Sequence, residues 1–295
     1  MIVYHLIVDN DIIYIIINYK FEIMNKFYAC ILILFGLIVS SCSDTISEKD
    51  EKGECIYKIH KGLKQGLCVC YYKDGKIRDS VYYEEGLKNG VEMSFDSLGN
   101  KVSYIDYRLG KKNGYFTYYY TNGDVYSKGK YYNDSIIGWY YRYYPGYVLE
   151  YREEYINIKG ETVCNQGEFF NEDGSRDSTI NTSFISAIIE KDTFKLLDTF
   201  LLKVELKKSY FKDQTNHITK LQIGNFDSNY VLTDTLSLIT YISKFYKHNH
   251  KVIANKLGQN IIRGVVYDDI NSKEDIHYYD FRRKIYFTRK YYVVR

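Results

Sequence analysis

One proline and one tryptophan occur in 295 residues, and the short signatures of enzyme chemistry are missing altogether. There is no GxSxG, HExxH or GxxxxGKS/T motif, and no GxGxxG following a strand pattern. Nucleophile elbows, zinc-binding helices and phosphate-cradling loops need those residues at those spacings, so hydrolase, zincin and nucleotide-dependent readings lack support. The six cysteines include no CxxC pair, which argues against a zinc ribbon or a thioredoxin-like site. Charge of one sign is also lacking: 40 basic against 37 acidic residues leave a formal +3. So small an excess implies no nucleic-acid partner, and Lys58, His60, Lys61 and Lys64 read as a solvated edge. No cofactor or metal is expected, and a non-catalytic chain is the reading that remains.

What the chain has instead is a period. Gly66, Gly90, Gly114 and Gly138 are spaced by 24 residues, and the columns around them repeat. Lys64, Lys88 and Lys112 precede the glycine by two, and Leu67, Val91, Tyr115 and Trp139 follow it. Tyr83, Tyr107, Tyr131 and Tyr155 come seventeen later, and Gly62, Gly86 and Gly110 come four before. A repeat this short is a supersecondary unit stacked on copies of itself, because one unit cannot bury its apolar face alone. Turn sequences such as Lys73-Asp74-Gly75-Lys76 and Thr121-Asn122-Gly123-Asp124 make each copy a β-hairpin, since Asp-Gly and Asn-Gly tolerate the positive φ of a tight turn. Alternation in Leu67, Val69 and Tyr71, and in Val91, Met93 and Phe95, predicts that these residues share an inward face. The opposite, outward ladder of Tyr118, Tyr120, Tyr140 and Arg142 is then a flat, solvent-exposed strip suited to glycan, peptide or protein contact; packing alone is the competing account.

The pattern resembles the MORN-repeat variant family, with Lys88-Asn89-Gly90 through Tyr107 and Lys112-Asn113-Gly114 through Tyr131 as the closest copies. The likeness covers about residues 60–158. The fourth copy departs from it, with Asp134 in place of the glycine and Ile136 in place of the lysine. Bacterial members of the family are often labelled antitoxin components, so the resemblance implies as an alternative a protein that binds and neutralises a toxin.

Residues 24–42 carry a basic start at Lys26, an apolar core from Phe27 to Val39 and small residues before a cysteine, the layout of a secretory signal. Val39-Ser40-Ser41-Cys42 is similar to the bacterial lipobox, which implies lipidation at Cys42, with an ordinary signal or anchor as the rival. Residues 1–23 have no basic start, and the run Ile12 to Ile17 is far shorter than the ~20 residues of a membrane span. They read as a misplaced gene start or as a membrane-associated extension. Polar residues 42–54 read as a flexible tether, too poor in apolar area to offset ordering.

Residues 55–180 are assigned to the repeat sheet. Past Asp177 the period stops, and short alternating segments such as Phe200–Leu206, Ile261–Tyr267 and Lys284–Val294 predict an immunoglobulin-like β-sandwich over residues 181–295, with a helix around Ser183–Leu197 as an option. A disulfide from Cys55 to either Cys68 or Cys70 is feasible in an oxidising compartment, as are idle thiols. Lys247-His248-Asn249-His250 reads as a solvated turn in preference to a metal site, and Asn171–Asp177 as a turn in preference to a calcium loop. The expectation is an all-β chain: a MORN-like hairpin sheet, then the sandwich. It is lipid-anchored in the bacterial envelope, at the outer membrane, and binds an envelope protein or glycan.

Overall fold

Two kinds of turn alternate along the repeats. Between copies lie two-residue turns, Lys61-Gly62, Glu85-Gly86, Leu109-Gly110, Asn133-Asp134 and Lys159-Gly160, in which both residues have positive φ (49° and 80° at Glu85 and Gly86). This mirror-image turn matches the right-handed twist of the strands it joins. Within copies, longer loops are held by side chains; Asp96 Oδ1 accepts the N–H of Leu98 at 2.9 Å and of Asn100 at 2.8 Å. Every connection is therefore a hairpin. In the computed structural model, which describes residues 44–180, 183–209, 217–243, 246–270 and 283–295, the result is a 13-stranded sheet with its strands in chain order. Asp44–Lys49 forms one edge and Glu161–Phe169 the other. The fold is all-β, and among the described residues no helix is long and apolar enough to cross a membrane.

The inward face is not the expected one. Tyr57, Cys68, Val81, Ser103, Ile105, Phe116 and Ser127 are buried, whereas Leu67 and Tyr115 are 58% and 66% exposed. The register shows why. The ladder is bulged near Gly66 and Gly114, and again between Cys70 and Tyr71, Ser94 and Phe95, Tyr118 and Tyr119, and Arg142 and Tyr143. A bulge sets two residues against one; in the regular stretches 66–70 and 114–118 it is Cys68 and Phe116 that take the buried face, and Leu67 and Tyr115 the other.

The tether assignment for residues 42–54 also needs correction, because Asp44–Lys49 pairs antiparallel with Gly53–His60. Asp50 makes the turn: its Oδ1 accepts the N–H of Lys52 and of Gly53, each at 2.7 Å, while Arg78 grips both carboxylate oxygens at 3.0 and 2.9 Å. The segment is poor in apolar area by itself, but its partner strand supplies Tyr57, whose hydroxyl donates to Glu48 at 3.1 Å. Of the two disulfide options, Cys55–Cys70 is formed; the two are register partners, and Cys68 is a buried free thiol. Cys42 and the whole of residues 1–43 lie outside the described residues.

Among the described residues the second unit has eight strands in two sheets. Phe184–Ile189, Thr199–Lys208 and Lys247–Ile253 form one; Thr193–Lys195, Arg283–Val294, Gly258–Ile270, His217–Phe226 and Leu232–Ser243 form the other. A single core joins them, with Ile185, Leu202 and Val204 from the first meeting Leu221, Val266 and Ile285 from the second. The helix considered for Ser183–Leu197 is replaced by two strands, because Ile185 and Ala187 alternate onto the core face and Phe194 stacks on Phe200 at 3.8 Å. The His248 segment is a strand and not a solvated turn: His248 is 6% exposed, with Nε2 3.0 Å from Thr219 Oγ1, and His250 Nδ1 lies 3.0 Å from the Tyr241 hydroxyl.

Asn165 ties the two units together. Its carboxamide donates to Tyr286 O and accepts from Tyr286 N, both at 2.8 Å, so a side chain occupies the place of a neighbouring strand. Gln166 Oε1 accepts the Ile185 N–H at 2.9 Å in the same way.

Candidate functional site

The lysine and tyrosine columns are one structural device. Lys64 Nζ lies 5.5 Å from the Tyr83 ring centroid, Lys88 Nζ 4.8 Å from Tyr107, and Lys112 Nζ 5.1 Å from Tyr131. Each ammonium covers an aromatic face, an attraction worth about 0.5–1 kcal/mol at an exposed site. In the fourth copy Ile136 stands where the lysine would cap Tyr155. There the sheet opens into a groove of about 570 Å³ that Ile136 and Tyr155 both line.

Phenol rings make its walls. Phe116, 1% exposed, lies 4.4 Å from Tyr131, 5.6 Å from Tyr118 and 6.2 Å from Tyr140, and Tyr140 lies 5.8 Å from Tyr151. Burial, with the Tyr118 hydroxyl beside it, pushes the Tyr131 phenol up to about 12. Burial also raises Tyr140 and Tyr155. These hydroxyls are therefore neutral at physiological pH, able to donate and accept hydrogen bonds without acting as bases. None of the lining residues is a carboxylate, imidazole, thiol or amine, so the groove offers ring faces and hydroxyls. Among the described residues no group of three or more His, Cys, Asp or Glu side chains could hold a metal ion.

Of the four residues expected on an outward strip, Tyr118 and Tyr140 line this groove, half-buried on the same face as Phe116. Arg142 packs beside it, its guanidinium 4.9 Å from Tyr126 and 5.7 Å from Tyr151, with Nε 2.8 Å from Glu150. Tyr120 serves instead as a staple between copies. Its hydroxyl donates to Tyr143 O at 2.7 Å, as that of Tyr72 donates to Phe95 O at 2.8 Å nearer the start of the sheet. The exposed character expected of the strip is thus corrected to half-buried, because Tyr118 stands two residues beyond buried Phe116 in a regular stretch of strand and so shares its face. Sequence reading missed Tyr126, Tyr131, Tyr151 and Tyr155 as groove residues. The available signal was the tyrosine column together with the loss of lysine at Ile136.

No family model and no curated protein matches the chain. Among solved structures, a chain from the crystal structure of accessory secretory protein 1, 2 and 3 of Streptococcus pneumoniae is similar at 19% identity with a TM-score of 0.20. The match covers 38% of this chain and 19% of that one, so this chain spans about a fifth of its length.

Proposed function

We propose that this protein is a non-catalytic binding module of the bacterial cell envelope, anchored by lipid at Cys42, whose tyrosine groove takes a ligand with a flat hydroxylated surface, such as a glycan or an envelope protein. The observation that supports the binding reading is the groove itself: neutral phenols around the Phe116 floor, in the copy where the capping lysine is replaced. Rings that present both a face and a hydroxyl are the side chains on which contact surfaces concentrate.

The test uses Tyr118→Phe and Tyr140→Phe, which keep the ring packing and delete the hydroxyls. Capture of solubilised envelope glycans by the immobilised protein should fall in the double variant while its unfolding transition stays in place. Undiminished capture with a native fold would remove the groove from the reading. Fractionation with labelled fatty acid tests the anchor: label should enter the wild type and not Cys42→Ser. A cytoplasmic, unlabelled chain would overturn the envelope assignment and favour the antitoxin-like alternative.

A further inference from the structure

A second hollow, of about 880 Å³, lies between the last repeat strands and the sandwich and shares only Tyr155 with the tyrosine groove. Trp139 and Arg152 line it from the repeat side, and Phe184, Tyr286, Arg263 and Arg289 from the sandwich. Arg152 is already paired with Glu168 and lies over the Trp139 and Phe184 rings, at 5.0 and 5.2 Å. The other two arginines are bonded to neutral carbonyls. Arg263 donates to Phe226 O at 3.0 Å; Arg289 donates to Ala187 O through Nε and to Thr288 O at 2.9 Å. Among the described residues neither forms an ion pair with a carboxylate. Glu154 lines the hollow too and its charge acts on Arg289, but one of its oxygens is occupied by the Asn165 and Gln166 amides at 2.7 and 2.6 Å.

The two guanidinium groups line one hollow with Tyr230. Burial raises the Tyr230 phenol and its hydrogen bond with Thr288 lowers it, while the Glu154 charge raises it and the Arg263 and Arg289 charges lower it. Tyr230 is held by a 2.9 Å hydrogen bond with Thr288 Oγ1 and lines the same hollow. A half-buried cation bonded only to neutral carbonyls keeps a desolvation cost that an incoming anion would relieve. The remaining lining is of the kind that seats sugars: aromatic rings on one side, and Ser186, Ser228 and Asn229 as short donors and acceptors.

We propose that this junction cleft binds an acidic saccharide, its carboxylate held by Arg289 and Arg263 and its ring against the Trp139–Phe184 wall. The arginines and the Trp139–Phe184 wall belong to this cleft and not to the tyrosine groove, so the proposal stands or falls without that reading. Trp139 is the chain's one tryptophan, so intrinsic fluorescence reports on this cleft directly.

The experiment titrates the full chain with digalacturonic acid, with cellobiose as a neutral disaccharide and with inorganic phosphate. Digalacturonate should change Trp139 emission saturably with a Kd below about 10 mM, the range open to a carboxylate held by charge-assisted bonds. Cellobiose should give no saturable change, and phosphate should bind at least about tenfold more weakly, because it lacks the ring. Arg289→Gln should weaken digalacturonate at least about tenfold. If that variant does not keep the wild-type unfolding transition, Arg263→Gln, which gives up one carbonyl contact, replaces it with the same expectation. No saturable response to digalacturonate, an equal response to cellobiose, phosphate binding as tightly, or unchanged affinity in a folded arginine variant would each overturn the proposal.

Discussion

At the scale of single residues, the glycine column shows how one sequence pattern can carry unequal structural demands. Gly66 and Gly114 occupy the same place in their repeats, both at positive φ, 82° and 133°. An added Cβ at Gly66 would meet nothing within 4 Å, whereas at Gly114 it would lie 2.5 Å from the Asp106 side chain. Gly66→Ala should therefore cost only the strain of the backbone, about 1–2 kcal/mol, and Gly114→Ala about 1–3 kcal/mol more from the clash. Denaturant unfolding of the two variants checks this; equal losses would show that Asp106 moves aside freely. Asp50 allows a second check. The Arg78 guanidinium holds its carboxyl at about 2, below the ordinary 3.8, with the Lys52 and Gly53 amides adding to the effect. A carboxyl lowered in the folded state contributes stability that is present above pH 3.8 and is lost as pH falls toward 2. An NMR titration should place its midpoint near pH 2 in the wild type, and Arg78→Gln should raise it most of the way toward the ordinary 3.8, the two amides keeping it somewhat below.

The hairpin is the next scale, and here the break in the lysine column matters most. Ile136→Lys would restore the missing cap over Tyr155, as Lys112 covers Tyr131. The variant should keep or slightly raise stability, by up to about 1 kcal/mol, while filling the groove and lowering capture of the glycan or protein proposed to bind there. Stability unchanged together with undiminished capture would place the ligand elsewhere. Hairpins and turn loops were legible in the sequence because Asp-Gly and Asn-Gly act locally. The phase of the strands was not: apolar and aromatic residues occur on both faces, so alternation alone does not say which face is buried, and the bulge after Tyr118 has no local signature. For the same reason Cys68 and Cys70 stayed open as partners of Cys55, since residues two apart on a strand share a face.

Over the whole molecule, two units are joined through few side chains. Asn165 is 2% exposed and satisfies the N–H and the C=O of Tyr286. Truncating it removes the partner of both backbone groups, which costs about 0.5–1.5 kcal/mol per hydrogen bond. Asn165→Ala should split calorimetric unfolding into two transitions, one for the repeat sheet and one for the sandwich, and speed exchange of the Tyr286 amide. A single transition and unchanged exchange would show that the units are coupled by other contacts. The sandwich should carry its own pH dependence. Burial lowers His248 and His250 below 6.5, so the unfolded chain takes up protons first, and sandwich stability should fall as pH drops below 6.5. Melting of His248→Gln should lose part of that dependence.

By itself the sequence determined the period of 24, the hairpin in each copy and the all-β character, because turn chemistry and strand alternation act over a few residues. Only the tertiary structure decided which face is buried, which cysteines pair and where the grooves lie. Those outcomes depend on bulges and on contacts between residues such as Asn165 and Tyr286, 121 positions apart, and no local pattern encodes the meeting of side chains so distant along the chain.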